Sequence, residues 1–252
     1  MSQADKATRF AKLHIKGDPV ILFNAWDAGS ASTIVDAGAE AVATSSWAVA
    51  EAQGYRDGEA IPLELLLQIV ARITASVAVP VTIDFEGGYT EDDAELAANV
   101  SRLLELGVIG INFEDRVVRG SGLYSVERQA RRISAIREAA GKRNVDLFIN
   151  ARTDVFLGKT VNPAQAVGNA LERAKAYASS GASGFFVPGL RDDELIRRIC
   201  AASELPVNVM VMEGLSPTKR LSELGVARVS YGPIPYVGVV KALKEHAQKA
   251  LS

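Results

Sequence analysis

The sequence contains few of the side chains on which many enzyme sites depend. It has one cysteine, Cys200, and two histidines, His14 and His246, among 252 residues. One cysteine cannot form an internal disulfide or a cysteine-based zinc site. Cys200 lies in the amphipathic helical pattern LIRRICAAS, which predicts a buried packing residue rather than a nucleophile. Neither histidine ends a predicted strand, so both are expected at the surface and a Ser-His-Asp site is disfavoured.

Strong charge and long apolar runs are also absent. The formal net charge is -2, which provides no basic surface, so no nucleic-acid partner is expected. No apolar run approaches the roughly 20 residues that cross a bilayer, so no membrane partner is expected. The first segment, MSQADKATRFAKLHIKGD, is charged and lacks the apolar centre of a secretion signal, which predicts a cytoplasmic protein.

Two further absences concern the ends of the predicted strands. No lysine ends any of them, which argues against an aldolase that works through a Schiff base. The loops GLSP and GPIP, after the last two strands, lack a glycine-rich phosphate cradle followed by a helix start. A phosphosugar isomerase is therefore disfavoured.

The chain does contain a regular alternation of strand-like and helix-like segments. Its strands are nearly continuous apolar runs, which is typical of parallel strands covered by helices. Four helix-to-strand turns, DAGAEAV, LELGVIG, ASSGASG and SELGVAR, place a glycine just after a helix, where a left-handed residue is favourable. Eight strand–helix units predict an α/β fold, a (β/α)8 TIM barrel forming a single domain over residues 1–252. A doubly wound open sheet is the alternative.

The predicted strands are Pro19–Phe23, Gly38–Ser45, Val79–Glu86, Val108–Glu114, Val145–Arg152, Gly184–Pro188, Val207–Met212 and Ala227–Tyr231. The predicted helices are Ser30–Asp36, Pro62–Ser76, Asp92–Glu105, Ser125–Ala139, Pro163–Ser179, Asp192–Ala202, Thr218–Leu224 and Pro235–Leu251.

The third predicted strand ends in VTIDFEGGY, where Asp84 and Glu86 are two residues apart. Side chains alternate along a strand, so both carboxylates point to the same side. Two like charges at that separation repel each other unless a cation or a shared proton relieves the repulsion. The stretch therefore indicates either a cation site or a solvated acidic strand end.

Other strand ends add to this group, because active sites on such barrels form at the C-terminal ends of the strands. Asp57 follows the second strand and Glu114 ends the fourth, which gives four carboxylates that can converge. Hard oxygen ligands favour Mg²⁺, with Mn²⁺ as an alternative, over zinc. Arg152, at the end of the fifth strand, could clamp a substrate carboxylate. Its alternative role is a structural ion pair with Asp154 or Glu114.

The chain resembles the isocitrate lyase/phosphoenolpyruvate mutase superfamily in five segments, from about Asn24 to Tyr231. These segments are FNAWDAGSA, ATSSWAVAEAQGYRDGE, VTIDFEGGY, GINFEDR and INARTD. The resemblance implies a (β/α)8 barrel whose last helix is exchanged between subunits of a homodimer or homotetramer. It also implies Mg²⁺-dependent making or breaking of a C–C or P–C bond next to a 2-oxo acid.

By this resemblance, Asp84 is expected to bind the metal most directly. Asp57, Glu86 and Glu114 are expected to hold it largely through waters, and Arg152 to bind the 2-oxo acid. The expected catalytic residues are Asp57, Glu114 and Arg152. The expected substrate contacts are Ser45, the backbone N–H groups near Ser46 and Trp47, Arg152 and Glu213. In strand seven, Met210 and Met212 occupy a region where lyases of the superfamily have polar residues that contact the substrate. Glu213, just after this strand, is the one polar residue that remains there.

The loop Arg116–Tyr124 departs from the superfamily pattern. Lyases of the superfamily carry a lysine-rich loop ending in Cys-Gly-His, whereas this loop reads RVVRGSGLY. Cleavage of isocitrate or methylisocitrate is therefore disfavoured. Phosphonate rearrangement is disfavoured too, because the loop does not reproduce the mutase pattern of lysine, asparagine and serine. Gly120 and Gly122 predict a mobile lid that would deliver Arg119, although a tight packing loop can also contain glycine.

The sequence thus predicts a Mg²⁺-dependent lyase or hydrolase that acts on a small 2-oxo (or 2-hydroxy) carboxylic acid. Decarboxylation of an oxaloacetate-type substrate is the first expectation, because carbon dioxide leaves without needing an acid. Phosphonopyruvate hydrolase or mutase activity, or a methylisocitrate-lyase-like activity, is the alternative. An alternative of another class is a barrel that binds 2-oxo acids without turnover.

Overall fold

The computed structural model describes residues 1–158 and 162–252. Its strands form one parallel sheet in the order β1-β9-β8-β7-β6-β5-β4-β3-β2. β1 (Val20–Leu22) and β2 (Asn24–Ala25) are separated by Phe23 alone. β1 pairs with β9 (Arg228–Ser230) and β2 pairs with β3 (Val42–Thr44), so the sheet curls into a barrel. The predicted TIM barrel is confirmed, and its first strand is divided in two.

The remaining strands are β4 (Val81–Asp84), β5 (Gly110–Glu114), β6 (Phe148–Arg152), β7 (Gly184–Phe186) and β8 (Val207–Met210). The helices are α1 (Gln3–Lys12), α2 (Ala28–Asp36), α3 (Ser46–Ala52), α4 (Leu63–Ser76), α5 (Asp93–Glu105), α6 (Val126–Lys142), α7 (Pro163–Ser179), α8 (Asp193–Ala202), α9 (Thr218–Glu223) and α10 (Ile234–Leu251).

A side chain joins the two ends of the barrel sheet. Asn24 Oδ1 accepts hydrogen bonds from the backbone N–H groups of Tyr231, at 3.0 Å, and Gly232, at 2.8 Å. Asn24 Nδ2 donates to the carbonyl oxygen of Thr44, at 2.7 Å. The amide of Asn24 therefore continues the ladder at the point where the short strands β1 and β2 leave it incomplete.

Two helices were not predicted from the sequence. α1 begins with a capping box, in which Ser2 accepts from the backbone N–H of Asp5 and the Asp5 carboxylate accepts from that of Ser2. α3 lies where a loop was expected, and its N-cap is Ser45. The Ser-x-x-Asp spacing was a readable signal for α1. The seven residues of α3 are too few for a periodic pattern to identify it.

α1 closes the N-terminal end of the barrel. Phe10 is fully buried there and packs against β5 at Gly110, where an added Cβ would lie 3.2 Å from the Phe10 ring. His14 follows α1 and stacks on Phe148, with 4.0 Å between ring centroids. The expectation of a surface position was wrong for His14, because its Nε2 is buried without a hydrogen-bond partner. Cys200, in contrast, is buried and free, as predicted.

His14 is expected to make the folded protein less stable in acid. Burial lowers the pKa of His14 to about 3. The unfolded chain takes up a proton near pH 6.5 that the folded chain does not. Burying the neutral His14 ring therefore costs no protonation free energy above pH 6.5. As the pH falls from 6.5 toward 3, the unfolded chain gains the proton, and the free energy of unfolding decreases. Between pH 7 and pH 5 the loss is expected to be about 2 kcal/mol.

Denaturant unfolding of His14→Phe at several pH values tests this effect. The variant keeps an aromatic ring against Phe148 but cannot titrate, so its free energy of unfolding should depend less on pH. His246→Gln, which changes an exposed histidine, is the control and should behave like the unmodified protein. Equal pH dependence in His14→Phe and the unmodified protein would contradict the assignment.

α10 makes little contact with its own barrel. Pro235 is its buried residue, and Tyr236 packs edge-on to Trp26 with ring centroids 5.2 Å apart. The apolar side chains that it leaves exposed are Ile234, Val237, Val239, Val240, Leu243 and Leu251. No helix in the described part of the chain is long and apolar enough to cross a membrane.

Candidate functional site

A pocket of about 180 Å³ opens at the C-terminal end of the barrel. β-strands deliver most of its lining, and the start of α3, the loop after α3 and the turn after β9 supply the rest. The lining residues are Asn24, Ser45, Ser46, Trp47, Asp57, Asp84, Asn112, Arg152, Phe186, Met210, Ser230, Gly232 and Pro233. The pocket thus combines a polar side, which carries Arg152 and two of the four predicted carboxylates, Asp57 and Asp84, with an apolar side.

Asp84 is held at the C-terminal end of β4 by the beginning of α3. Its Oδ2 accepts from the backbone N–H of Ser46, at 3.1 Å, and from the Ser46 hydroxyl, at 2.8 Å. The first N–H groups of a helix have no acceptor within the helix, so the start of α3 is suited to bind a carboxylate. Asp57 approaches the same hydroxyl, with 3.3 Å between Ser46 Oγ and Asp57 Oδ1. Two of the predicted carboxylates therefore meet at Ser46.

Glu86 lies just beyond Asp84 and is almost fully buried. Its backbone has a φ of +48°, which is in the left-handed region. Its Oε2 accepts from the backbone N–H of Glu59, at 3.0 Å. Burial, followed by the neighbouring charges of Asp57 and Asp84, raises the pKa of Glu86 to about 9. Without a bound cation, this carboxyl group is protonated at neutral pH.

We expect divalent-cation binding to release the Glu86 proton. Because a proton competes with the cation, the affinity for Mg²⁺ should rise with pH, by up to about tenfold per unit below pH 9. Isothermal titration calorimetry at pH 7, 8 and 9, in buffers of different ionisation enthalpy, measures both quantities. Glu86→Gln should lose most of this slope. Affinity that does not change with pH in the unmodified protein would contradict the prediction.

Glu59 was not among the predicted site residues, and its contacts hold two loops of the site together. Its Oε1 accepts from the backbone N–H of Tyr89, at 2.7 Å. Together with the Glu59 N–H that binds Glu86, this contact ties the loop after α3 to the loop after β4. Glu59 and Tyr89, like Glu86, have positive φ values, of +57° and +66°. Backbone strain of this kind persists where surrounding contacts hold it in place.

Arg152, at the end of β6, lies between two carboxylates. Its Nη1 is 3.1 Å from Glu114 Oε2, and its Nε is 2.6 Å from Asp154 Oδ1. Burial lowers the pKa of Arg152, but Glu114 and Asp154 outweigh burial and raise it above its ordinary value. The guanidinium is therefore charged. Both proposed structural ion pairs exist, and Arg152 also lines the pocket, so the two predicted roles are compatible.

The chain matches the phosphoenolpyruvate phosphomutase family over residues 10–251. The chain belongs to this family. The resemblance to the isocitrate lyase/phosphoenolpyruvate mutase superfamily seen in the sequence is thereby confirmed. Members of the superfamily are lyases or mutases that cleave C–C or P–C bonds, so the chain is an enzyme of this type.

Two relatives show the range of activities in the superfamily. The 2-methylisocitrate lyase of Escherichia coli is 25% identical, over 100% of this chain and 86% of its own length. The oxaloacetate decarboxylase of Ectopseudomonas mendocina is 27% identical, over 75% of this chain and 64% of its own. Both relatives are lyases, and they differ in the acid that they cleave.

Two solved structures show the same fold. A provisionally assigned phosphonomutase from Burkholderia cenocepacia superposes with a TM-score of 0.94 at 45% identity, covering 97% of this chain and 99% of that one. A phosphonopyruvate hydrolase in complex with oxalate and Mg²⁺ superposes with a TM-score of 0.83 at 18% identity, covering 97% and 85%. A divalent metal is thus present in at least one structure of the superfamily.

The phosphomutase-family pocket gathers most of the predicted site residues. Ser45, Ser46, Trp47, Asp57, Asp84 and Arg152 line it. Glu86 and Glu114 are buried beside it. Glu213 is different: its side chain is exposed and does not line the pocket, and its carbonyl oxygen accepts from Arg191 at 3.0 Å. β8 ends at Met210, so the chain has already left the barrel when it reaches Glu213.

The donor set of the pocket is suited to a cation held mainly through water. Within residues 1–158 and 162–252, no three His, Cys, Asp or Glu side chains are close enough together to hold a metal directly. Mg²⁺ commonly keeps several of its waters and takes only one or two protein carboxylates. Asp84 on the pocket surface, with Asp57, Glu86 and Glu114 around it, fits that mode of binding. Direct coordination by all four carboxylates does not fit.

The loop predicted as a lid lies over the neighbouring loops. Arg116 and Leu123 form an antiparallel bridge, and Arg119 Nε is 3.9 Å from Glu59 Oε2, with 69% of the Arg119 side chain exposed. The carbonyl oxygen of Tyr124, at the end of the loop, accepts from Arg173 Nη2 at 3.0 Å. The lid function of Arg119, Gly120 and Gly122 stays a prediction.

The apolar side of the pocket was recognised in the sequence only at Met210. Phe186, Met210 and Pro233 form it, at the ends of β7 and β8 and after β9. Met210 is packed closely against the chain at Gly232, where an added Cβ would lie 2.9 Å from its sulfur. Identifying Phe186 would have required the inward-facing register of a strand whose residues are all apolar. Such a strand gives no alternation from which to read the register.

Proposed function

We propose that this phosphomutase-family enzyme is a Mg²⁺-dependent decarboxylase of a small 2-oxo acid of the oxaloacetate type. One observation carries the proposal: Asp84 and Arg152 line one small pocket, with Asp84 fixed by both the backbone N–H and the hydroxyl of Ser46. A carboxylate for the metal and a cation for the acid are thereby provided in the same space.

The residues divide the work between metal and substrate. Asp84 would hold the metal, and Asp57, Glu86 and Glu114 would bind its waters. When bound, Mg²⁺ supplies Lewis-acid polarisation of the 2-oxo group. Arg152 would bind the carboxylate of the acid, and the backbone N–H of Trp47, in the first turn of α3, would donate to the 2-oxygen, since the N–H of Ser46 is bound to Asp84.

The apolar side favours loss of a carboxylate as carbon dioxide. Arg152 is the cationic side chain that lines the pocket, and Phe186, Met210 and Pro233 offer no charge to a second anionic group. When the C3–C4 bond breaks, its electron pair moves toward C3 and the 2-oxygen, and neutral carbon dioxide remains on the apolar side. The enolate then takes a proton at C3. Removing negative charge from an apolar surface favours this step.

The same features bear on the alternative substrates. A phosphonate carries more charge than a carboxylate and would need cationic partners beyond Arg152. The loop Arg116–Tyr124 contains no cysteine that could protonate a departing acid. Phosphonopyruvate hydrolysis is therefore the second candidate.

Assays of the purified protein on oxaloacetate and phosphonopyruvate, with and without Mg²⁺, test the proposal. We expect pyruvate and carbon dioxide from oxaloacetate, at a rate above the reaction of free Mg²⁺, and loss of this activity with a chelator. Turnover that is indifferent to chelator would overturn the metal mechanism. Binding of oxalate with Mg²⁺ but no turnover of either substrate would favour the non-catalytic binding protein.

We also propose that α10 packs on a second copy of the chain, as the superfamily resemblance implies. Its exposed apolar residues have a receiving surface in the groove lined by Ile21, Phe23 and Ile34, where cavities of about 700 and 600 Å³ adjoin. That groove lies on the outside of the barrel, between β1 and α2. The first turns of α10 of the same chain line the smaller cavity, and the larger one has no lining residue from α10.

Size-exclusion chromatography with light scattering tests this assembly. The unmodified protein is expected to be a dimer or tetramer at micromolar concentration. Leu243→Glu places a charge on an exposed apolar position of α10 and should shift the protein toward monomer. Lys244→Gln, at the next position, is the control and should keep the unmodified mass. A monomeric unmodified protein would contradict the proposal.

A further inference from the structure

Arg228, on β9, is a buried cation inside the barrel. The residue is completely inaccessible to solvent. Its Nε donates to Ser230 Oγ at 3.1 Å, its Nη2 donates to Asn112 Oδ1 at 3.1 Å, and its Nη1 has no partner. Across the described ranges, no carboxylate forms an ion pair with it. A buried charge without an opposite charge beside it is strongly unfavourable, so its presence calls for a compensating role.

The partners of Arg228 place it directly beneath the pocket. Asn112 and Ser230 both line the pocket, and the guanidinium lies one hydrogen bond below each of them. Burial lowers the pKa of Arg228 to about 9, and Asp84 is the charge that opposes this effect. The guanidinium is therefore charged at neutral pH. The carboxylate that interacts with this charge is Asp84, the predicted metal ligand.

Arg228 also determines which way the Asn112 amide faces. Asn112 Oδ1 accepts from Arg228 Nη2 and from Asn150 Nδ2, the latter at 2.9 Å. With both donors on its oxygen, the amide must turn its nitrogen the other way, where Nδ2 is 3.5 Å from Asp84 Oδ1. Asn112 and Ser230 form the floor of the pocket, above Arg228. There the Asn112 side chain presents a hydrogen-bond donor, not an acceptor, to Asp84 and to any anion bound beside it.

The positive charge of Arg228 matters because the cationic side chain that lines the pocket, Arg152, already forms ion pairs. Arg152 is paired with Glu114 and with Asp154. The carboxylates of Asp57 and Asp84 also line the pocket, so an incoming acid meets an excess of negative charge. A fixed positive charge under the floor offsets part of that excess, and in a buried setting its effect is weakly screened.

We propose that Arg228 is a positioning residue that orients Asn112 toward Asp84 and, from beneath the pocket floor, favours binding of the acid anion over binding of the cation alone. The inference rests on the proposed function, because it assumes that a divalent cation and a small acid occupy this pocket. It predicts effects of opposite sign on the two ligands, which a purely structural role would not produce.

Calorimetric titrations with Mn²⁺ alone, and with oxalate in excess Mn²⁺, test the proposal. Arg228→Met should lower the affinity for oxalate by roughly tenfold or more, while the affinity for Mn²⁺ alone stays equal or rises. Arg228→Lys, which keeps the charge, should retain most of the oxalate affinity. If the methionine variant does not fold, Arg228→Gln, which is uncharged but can still donate to Asn112, gives the same comparison.

Arg137→Gln is the matched control, because Arg137 is a half-buried arginine that binds the backbone at Gly181, at the other end of the barrel. Neither affinity should change in that variant. Parallel loss of both affinities in Arg228→Met, or no change in either, would overturn this inference alone. An unmodified protein that binds neither Mn²⁺ nor oxalate would overturn the proposed function together with it.

Discussion

Asp84→Asn is expected to reduce kcat/KM for oxaloacetate by about a thousandfold or more and to weaken Mn²⁺ binding in parallel. The side chain keeps its shape and can still accept from the N–H and hydroxyl of Ser46, so the start of α3 should stay in place. The charge that attracts the cation is removed. The loss should therefore be one of metal affinity rather than of folding.

Three measurements separate these effects. Calorimetry gives the Mn²⁺ affinity, steady-state assays at one fixed metal concentration give kcat/KM, and circular dichroism follows the thermal transition. Asp36→Asn, which neutralises an exposed aspartate at the end of α2, is the control and should match the unmodified protein. Asp84→Asn with normal Mn²⁺ affinity and normal turnover would show that the metal is held elsewhere.

Arg152→Lys is expected to raise KM for the acid by roughly a hundredfold, because lysine cannot make the two-pronged contact of a guanidinium. It should also weaken the bonds to Glu114 and Asp154. Arg152→Met removes the positive charge in addition to the two-pronged contact. The buried carboxylates of Glu114 and Asp154 then lack their ion-pair partner, so the free energy of unfolding should fall by about 3–5 kcal/mol.

The lysine variant discriminates between the two roles that the sequence left open. If Arg152 binds substrate, oxalate affinity should fall in Arg152→Lys even under conditions where the protein remains fully folded. If it serves only as a structural ion pair, the free energy of unfolding should fall while KM and oxalate affinity stay unchanged. Denaturant unfolding and calorimetry on the same preparation distinguish these outcomes.

The sequence predicted the barrel because its strands are continuous apolar runs and four of its helices end in the same glycine turn. It also located Asp84 and Arg152, because strand ends are identifiable from where an apolar run stops. The division of the first strand at Phe23 was not predictable, since it depends on pairing with β9, more than 200 residues away. Long-range pairing leaves no local pattern in the sequence.

Within the site, the sequence identified charges but not their partners. Glu59 and Arg228 were missed because their significance lies in contacts with Glu86 and Asn112, which come from distant segments. Glu213 was expected at the site because it follows the apolar run of strand seven. That run continues two residues past the end of β8, and this length carries Glu213 out of the pocket.

Closure of the barrel and formation of the pocket both depend on the side-chain amide of Asn24, so they occur together. Its oxygen holds the backbone of Tyr231 and Gly232, its nitrogen holds Thr44, and the residue itself lines the pocket. The first and last segments of the chain must therefore meet before the binding space exists. A ligand bound in the pocket therefore stabilises the closed barrel. Part of its binding free energy opposes local unfolding at the point where the first and last strands meet.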